Sequence, residues 1–225
     1  MTFGKKVLEF YKNLDFSNSG IPEGIEIMNP MLDQQVQQFN DQFYTKYYND
    51  SNQRIFLIGI NPGRFGGGLT AIPFTDPIHL EDTLKIKNNL PKRHELSSRF
   101  VYEVVHQFGG PELFFRKCYL TAVSPLGFVM NHKNINYYDS KVIVKQYEPQ
   151  FIKWLKRQID FGANTKVAFS LGRGKNHNYL NRINQQNHLF DKILALPHPR
   201  WVMQYRYKKR QEYVDFYCNQ ISHYL

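Results

Sequence analysis

Cysteine is scarce in this chain, with only Cys118 and Cys218 among 225 residues. Two thiols cannot form a closed zinc set, and the eight histidines lack metal-ligand spacing, so we expect no metal site. A disulfide framework is excluded too. Two isolated cysteines are typical of reduced thiols, which indicates a cytoplasmic protein.

Long apolar runs and acidic residues are also in short supply. No run approaches membrane-spanning length, and the first sixteen residues lack the apolar core of a signal peptide, so we expect no membrane partner. The 19 Asp and Glu face 29 Lys and Arg, which gives a net charge of +10. This excess predicts a polyanionic partner, nucleic acid first, while simple solubility is the alternative.

The pattern of apolar segments predicts one α/β domain that spans residues 1–225, which we expect to be a monomer. Segments with helical periodicity separate four short apolar segments that are typical of buried strands. We therefore expect a three-layer α/β/α fold around a central, mainly parallel four-stranded sheet. We also expect residues 17–30 to be a loop and the long helix near Ser140–Ile159 to be interrupted around Pro149. The predicted strands are Ile55–Ile60, Cys118–Val123, Lys166–Leu171 and Ile193–Leu196.

Each predicted strand ends in residues suited to a ligand site. Asn61, Ser124, Arg173 and His198 lie at or just beyond these four ends. The carboxyl ends of parallel strands share one edge of a sheet, so these side chains are expected to converge on one crevice. The glycine-rich segment 66–68 lets backbone approach a ligand closely, although an ordinary strand-to-helix loop has the same composition.

His198 stands between two prolines that restrict the backbone on both sides, which suits an imidazole with a defined direction. The segment Arg200–Arg210 follows it with five basic residues, no acid and several interleaved apolar side chains. Apolar wedges flanked by cations are typical of proteins that enter a base stack while holding phosphates. An exposed basic helix start is the alternative.

Two motifs in this chain match a known family. The first is Gly-x-Asn-Pro-Gly-x-Phe-Gly followed by Pro-Phe, and the second is His-Pro at His198 and Pro199. Together they resemble the uracil-DNA glycosylase superfamily, most closely a divergent bacterial subgroup of the single-strand-selective monofunctional uracil-DNA glycosylases. The first motif occupies Gly59, Asn61, Pro62, Gly63, Phe65, Gly66, Pro73 and Phe74.

The resemblance implies a role for each motif residue. Asn61 would place the attacking water, Phe74 would stack on the extruded base, and His198 would stabilise the departing base. The expected substrate-binding residues are Gly63, Phe65, Gly66, Gly67, Phe74, Thr121 and Ser124. The expected DNA-binding residues are Lys175, Arg200, Trp201, Val202, Met203, Lys208, Lys209 and Arg210.

The chain differs at two positions from members of the family that it resembles. Some of them carry Asp where this chain has Asn61, and an amide cannot accept a proton at neutral pH. Relatives usually carry a base-reading Asn where this chain has Ala122, which has no hydrogen-bonding side chain. Thr121 and Ser124 are the nearest hydroxyl groups that could take its place. The departures predict relaxed base choice rather than strict uracil specificity.

Together with the resemblance to a bacterial subgroup, these observations predict a monofunctional DNA glycosylase of the bacterial cytosol or nucleoid, which needs no cofactor. It removes uracil, and other deaminated or oxidised bases, in base excision repair. No lysine stands in the motifs to form a Schiff base, so lyase activity is not expected. One alternative is a catalytically inactive nucleic-acid-binding protein of the same fold. Another is a phosphate or nucleotide enzyme that uses a glycine loop, although the segment 172–175 lacks the spacing of a Walker A motif.

Overall fold

The computed structural model describes residues 1–14, 16 and 21–225, and its centre is a parallel four-stranded sheet. The strand order is β3-β2-β6-β7, with β2 at Arg54–Gly59, β3 at Cys118–Ala122, β6 at Ala163–Leu171 and β7 at Ile193–Leu196. All six residues of β2 are buried, because helices cover both faces of the sheet. The predicted α/β fold is confirmed.

Helices connect and cover these strands. Two groups of helices pack among themselves, α1 with α2 and α7, and α5 with α9 and α10. Short 3-10 turns lie at Pro30–Leu32, Tyr137–Asp139 and Tyr207–Lys209. The α-helices are α1 at Phe3–Lys12, α2 at Gln34–Tyr47, α3 at Gly67–Thr70, α4 at Pro77–Asp82, α5 at Leu96–Gln107, α6 at Pro111–Lys117, α7 at Lys141–Ile159, α8 at Lys175–Asn187, α9 at Pro199–Tyr205 and α10 at Arg210–Ser222.

A second, antiparallel sheet was not predicted from the sequence. It has the order β1-β4-β5, with β1 at Ile25–Met28, β4 at Gly127–Met130 and β5 at Lys133–Ile135. The prediction of a loop over residues 17–30 is therefore wrong for β1, while residues 17–20 lie outside the described residues. Strands of four residues carry little sequence signal, and β1 is stabilised by its antiparallel pairing with β4.

The expected interruption at Pro149 is also wrong, since α7 runs continuously from Lys141 to Ile159. A proline inside a helix costs about 3 kcal/mol through a lost hydrogen bond and a steric clash. Here the helix buries aromatic residues on both sides of the proline, including Tyr147, Phe151 and Trp154. That burial holds the two halves against the core and outweighs the local cost.

None of the described helices combines the length and the apolar character that crossing a membrane requires. The helices matter here because they bring the loops after β2, β3, β6 and β7 to one edge of the sheet.

Candidate active site

A pocket opens at the carboxyl edge of the parallel sheet. The ends of β2, β3 and β7 each contribute to it, through Asn61, Ala122 and His198. The second sheet contributes from the side. The lining residues include Ile60, Asn61, Pro62, Gly63, Gly67, Ala71, Pro73, Phe74, Glu95, Ser97, Ala122, Pro125, Asn134, Asn136, His198 and Arg200. Asn61, Phe74 and His198, which the motifs singled out, thus share one pocket.

The side chain of Asn61 connects the first motif to the second sheet. Its Oδ1 accepts the backbone N–H of Tyr137 at 3.0 Å, and its Nδ2 donates to the carbonyl of Ile135 at 3.2 Å. Because the Tyr137 N–H can only donate, it fixes which end of the amide is oxygen. An aspartate could not donate to the Ile135 carbonyl, so this bridge explains an asparagine here.

His198 is the N-cap residue of α9, and its Nδ1 accepts the backbone N–H of Arg200 at 3.2 Å. In a neutral ring the proton is therefore on Nε2, which leaves Nε2–H free to donate. Burial, and secondarily the positive charge of Arg200, lowers the pKa of His198 to about 4. The imidazole is consequently a neutral hydrogen-bond donor at physiological pH.

The ring of Phe74 reaches the end of β2 because Gly59 has no side chain. A Cβ atom on Gly59 would lie 2.6 Å from Cζ of Phe74. Phe74 also adopts a left-handed backbone conformation, with φ of 57°. Such a conformation costs a phenylalanine on the order of 1 kcal/mol, so the surrounding structure must impose it. The result is a ring that forms one wall of the pocket.

Glu95 lines the same pocket, and sequence reasoning missed it. It comes directly before α5 and packs against Gly63 and Gly66 of the first motif, far away along the chain. Burial, together with the negative charge of Asp76, raises the pKa of Glu95 to about 7. No motif or periodicity could have revealed it, because only the packing of α5 brings it to the loop.

Asn176 is a second residue that the sequence did not reveal. Its buried Nδ2 donates to the carbonyls of Ile58 and Gly59 at 3.2 and 3.3 Å. Its Oδ1 accepts the hydroxyl of Tyr137 at 2.9 Å. The backbone N–H of Tyr137 in turn holds Asn61. Asn176 therefore positions the end of β2 and the segment that orients Asn61.

Several of the expected substrate-binding residues do not line the pocket. The hydroxyl of Thr121 donates to Oε1 of Gln158 on α7, and the hydroxyl of Ser124 donates to the carbonyl of Leu126 at 2.8 Å. Both side chains are buried, so neither takes the place of the missing amide at Ala122. Phe65 lies under the guanidinium groups of Arg64 and Arg93 instead.

The glycines that follow β2 have two roles, since some line the pocket and one packs behind it. Gly63 and Gly67 line the pocket directly. Gly66 is buried behind it, where a Cβ atom would overlap the carboxylate of Glu95. The glycine-rich composition thus serves close packing against Glu95 as well as access for a ligand.

A basic groove adjoins the pocket, and the two share Ile60, Asn134, Asn136, His198 and Arg200. Its walls carry both cations and aromatic rings, as do surfaces that follow a nucleic-acid backbone. Arg173, from the loop after β6, lies here and not in the pocket. The further lining residues are Tyr138, Gly172, Arg173, Gly174, Lys175, Asn176, Pro197, Trp201, Gln204 and Tyr205.

The expectation that Val202 and Met203 contact DNA needs correction. Their exposed fractions are 0% and 5%, because α9 buries this face against the core. Trp201 and Tyr205, on the opposite side of α9, are 38% and 60% exposed and line the basic groove. The helical period decided which apolar residues of the segment face outward.

The cations at the end of the same segment lie outside both the pocket and the groove. Lys209 is 3.6 Å from the carboxylate of Glu212, and Arg210 is 3.3 Å from that of Glu103. Lys208 is exposed. Lys175 does line the groove, close to the ring of Tyr138.

Metal ligands are not grouped in the part of the chain that the structure describes. There, no three His, Cys, Asp or Glu side chains are close enough to hold a metal ion. The pocket instead offers a neutral donor, an amide, an aromatic wall and a carboxyl group. This set can stack on a planar ring, donate to an anion that develops on it and hold a water molecule.

Comparisons with known proteins agree with the fold and with the motifs. The family model of the uracil DNA glycosylase superfamily matches residues 45–222. The chain is also similar to wild-type SMUG2 of Pedobacter heparinus, whose crystal structure superposes with a TM-score of 0.94. The two sequences are 42% identical over 99% of this chain and 97% of that one. The chain therefore belongs to the uracil DNA glycosylase superfamily.

Proposed function

We propose that this protein is a monofunctional DNA glycosylase, which hydrolyses the bond between deoxyribose and a deaminated or oxidised base. The observation that carries the proposal is the shared pocket of Asn61, Phe74 and His198, next to a basic, aromatic groove. A base inside a duplex is out of reach of any pocket. The base must be extruded, and a groove of this character can hold the strand meanwhile.

The reaction separates charge, and the pocket matches that separation. As the sugar–base bond breaks, positive charge develops on the sugar and negative charge on the base. Nε2–H of His198 donates to the departing base, which is the largest contribution available to a site of this kind. Phe74 stacks on the base and Oδ1 of Asn61 holds the water. Among the residues that the structure describes, no lysine lines the pocket, which supports hydrolysis without lyase activity.

The test is release of free bases from oligonucleotides that carry uracil, hypoxanthine, xanthine or an oxidised pyrimidine. Alkaline cleavage then reports the abasic sites, and single-turnover rates rank the lesions. Cleavage without alkali would contradict the monofunctional assignment. Tight binding without release of any base would favour the alternative function, a nucleic-acid-binding protein of this fold that has lost activity.

Base choice is expected to be broad, because the small side chain of Ala122 lies in the pocket. Ala122→Asn adds an amide that can pair with the edge of uracil, and one good amide pair discriminates by about 1–3 kcal/mol. We therefore expect the ratio of uracil to xanthine excision to rise by roughly tenfold. Excision rates of both lesions by the variant and the wild type provide the measurement. A wild type that already excises only uracil, with an unchanged ratio in the variant, would contradict this role.

The wedge is expected to be Trp201, which is exposed at the basic groove beside Arg206. A wedge keeps an extruded base from returning to the stack, so it matters most when that base was paired. Trp201→Ala should lower excision from duplexes by about tenfold, and from single strands by much less. Tyr207→Ala is the matched control, since Tyr207 is 45% exposed and lies outside the groove. Parallel losses on both substrates would exclude a wedge.

A further inference from the structure

The carboxyl group of Glu95 lies directly against the loop that carries Asn61. A Cβ atom on Gly63 would be 3.1 Å from Oε1 of Glu95, and one on Gly66 would overlap Oε2. A side chain at Gly66 would therefore displace the carboxylate, and one at Gly63 would crowd it. A carboxyl group packed this tightly beside the first motif, in the wall of the pocket, has a defined position.

A buried network behind the pocket holds Glu95 in this place. Oδ2 of the fully buried Asp76 accepts the backbone N–H of Glu95 at 3.0 Å. The other oxygen of Asp76 accepts the backbone N–H of His79 and contacts its ring Nδ1, both at 2.8 Å. Ser98 completes the network with a hydroxyl 3.1 Å from that nitrogen. Asp76 is thus a positioning residue for Glu95.

The asparagine of the first motif cannot act as a proton acceptor in the pocket. Both polar ends of Asn61 are hydrogen-bonded, one to the last residue of β5 and one to Tyr137 just after it, and an amide does not accept a proton at neutral pH. His198 directs its acceptor nitrogen at the backbone of Arg200. Among the described residues that line the pocket, only Glu95 carries a carboxyl group.

We propose that Glu95 is the general base of the proposed glycosylase reaction, a role that rests on the function proposed above. The water oxygen forms a bond to the anomeric carbon of the sugar, and one water proton passes to the Glu95 carboxylate. The sugar–base bond breaks, and its electron pair leaves with the base. The base gains a proton from solvent, and Glu95 returns its own proton to solvent. The negative charge of Glu95 also stabilises the positive charge on the sugar.

The surroundings of Glu95 set the pKa of its carboxyl group, and this pKa makes the excision rate depend on pH. Burial and the charge of Asp76 raise the pKa of Glu95, while Arg200 and a hydrogen bond from Ser97 lower it, with a net value of about 7. Glu95 is therefore mostly protonated at about pH 6 and mostly ionised at about pH 8, so the excision rate should rise between them. His198 stays neutral over this range because its pKa is about 4.

The experiment compares single-turnover excision by the full-length wild type, Glu95→Gln and Glu95→Ala at about pH 6 and about pH 8. General bases contribute on the order of a hundredfold or more, so both variants should be that much slower at about pH 8 and lose the rise with pH. Added formate should restore part of the rate of Glu95→Ala, because it can occupy the vacated carboxylate site. Glu112→Gln is the control, since Glu112 is exposed on α6, before the amino end of β3.

The outcomes distinguish this role from a structural one. Glu95→Gln should melt no lower than the wild type above about pH 7, because the raised pKa means that ionisation of Glu95 costs the fold stability as the pH rises from 4.5 to about 7. A loss of rate with an unchanged pH profile and no rescue by formate would overturn the proposal, as would a Glu95→Gln variant as fast as the wild type. A wild type that releases no base from any lesion would remove the proposed function itself, and this role with it.

Discussion

Replacing His198 with alanine is expected to lower the single-turnover rate of base excision by roughly a hundredfold or more. The imidazole is the neutral donor of the pocket, with Nδ1 committed to the Arg200 backbone and Nε2–H free. Its hydrogen bond strengthens as negative charge develops on the base, so its loss falls on the transition state. Single-turnover kinetics measure this step without contributions from product release.

His198→Asn is the matched control, because asparagine is also a good N-cap residue. Alanine loses the cap of α9 and should destabilise the protein by about 1 kcal/mol, whereas asparagine should not. Both variants should lose excision, since the shorter asparagine does not place a donor where Nε2 stands. Rates equal to the wild type in both variants would remove His198 from the mechanism. A loss of excision rate that occurs only in the variant with a lowered melting temperature would show that His198 has a structural role.

The low pKa of His198 has a consequence for stability. A histidine whose folded-state pKa lies near 4 instead of its ordinary 6.5 resists protonation in the fold. The unfolded chain takes up this proton first as the pH falls, so stability is retained above the unfolded pKa and declines from there towards about pH 4. Over the same range the donor needed for catalysis remains neutral.

Adding one methyl group at Gly59 is expected to slow excision by roughly tenfold to a hundredfold, about as much as Phe74→Ala. The Cβ of Gly59→Ala would lie 2.6 Å from Cζ of Phe74 and 2.8 Å from Cε2, so the ring must move. Stacking of a base on an aromatic ring is worth about 1–3 kcal/mol, and that contribution is lost when the ring leaves its place. Single-turnover rates and melting temperatures of each variant provide the measurement.

The double variant Gly59→Ala/Phe74→Ala decides whether the effect acts through the ring. Two changes that act through one ring are not additive, so the double variant should be no slower than Phe74→Ala alone. Additive losses would show that the methyl group acts elsewhere. The nearest other atom is the carbonyl oxygen of Thr121, at 3.3 Å.

The sequence by itself determined the parallel sheet, the strand ends and the shared position of Asn61, Phe74 and His198. Buried strands of a parallel sheet are continuous apolar runs, and their carboxyl ends must meet at one edge, so local composition carries this information. The first motif is contiguous, which made it recognisable without any knowledge of packing. The resemblance to the uracil DNA glycosylase superfamily is confirmed, because the family model matches residues 45–222 of the chain.

Only the tertiary structure decided which side chains face the pocket. The hydroxyl of Thr121 turns to α7, and Val202 turns to the core while Trp201 turns outward, because pairing and helix packing set these directions. The antiparallel sheet that holds Asn61 is stabilised by pairing between distant segments, for which short strands have no local signal. Glu95 reaches the first motif for the same reason: the contact joins residues far apart in the chain, and packing of α5 alone creates it.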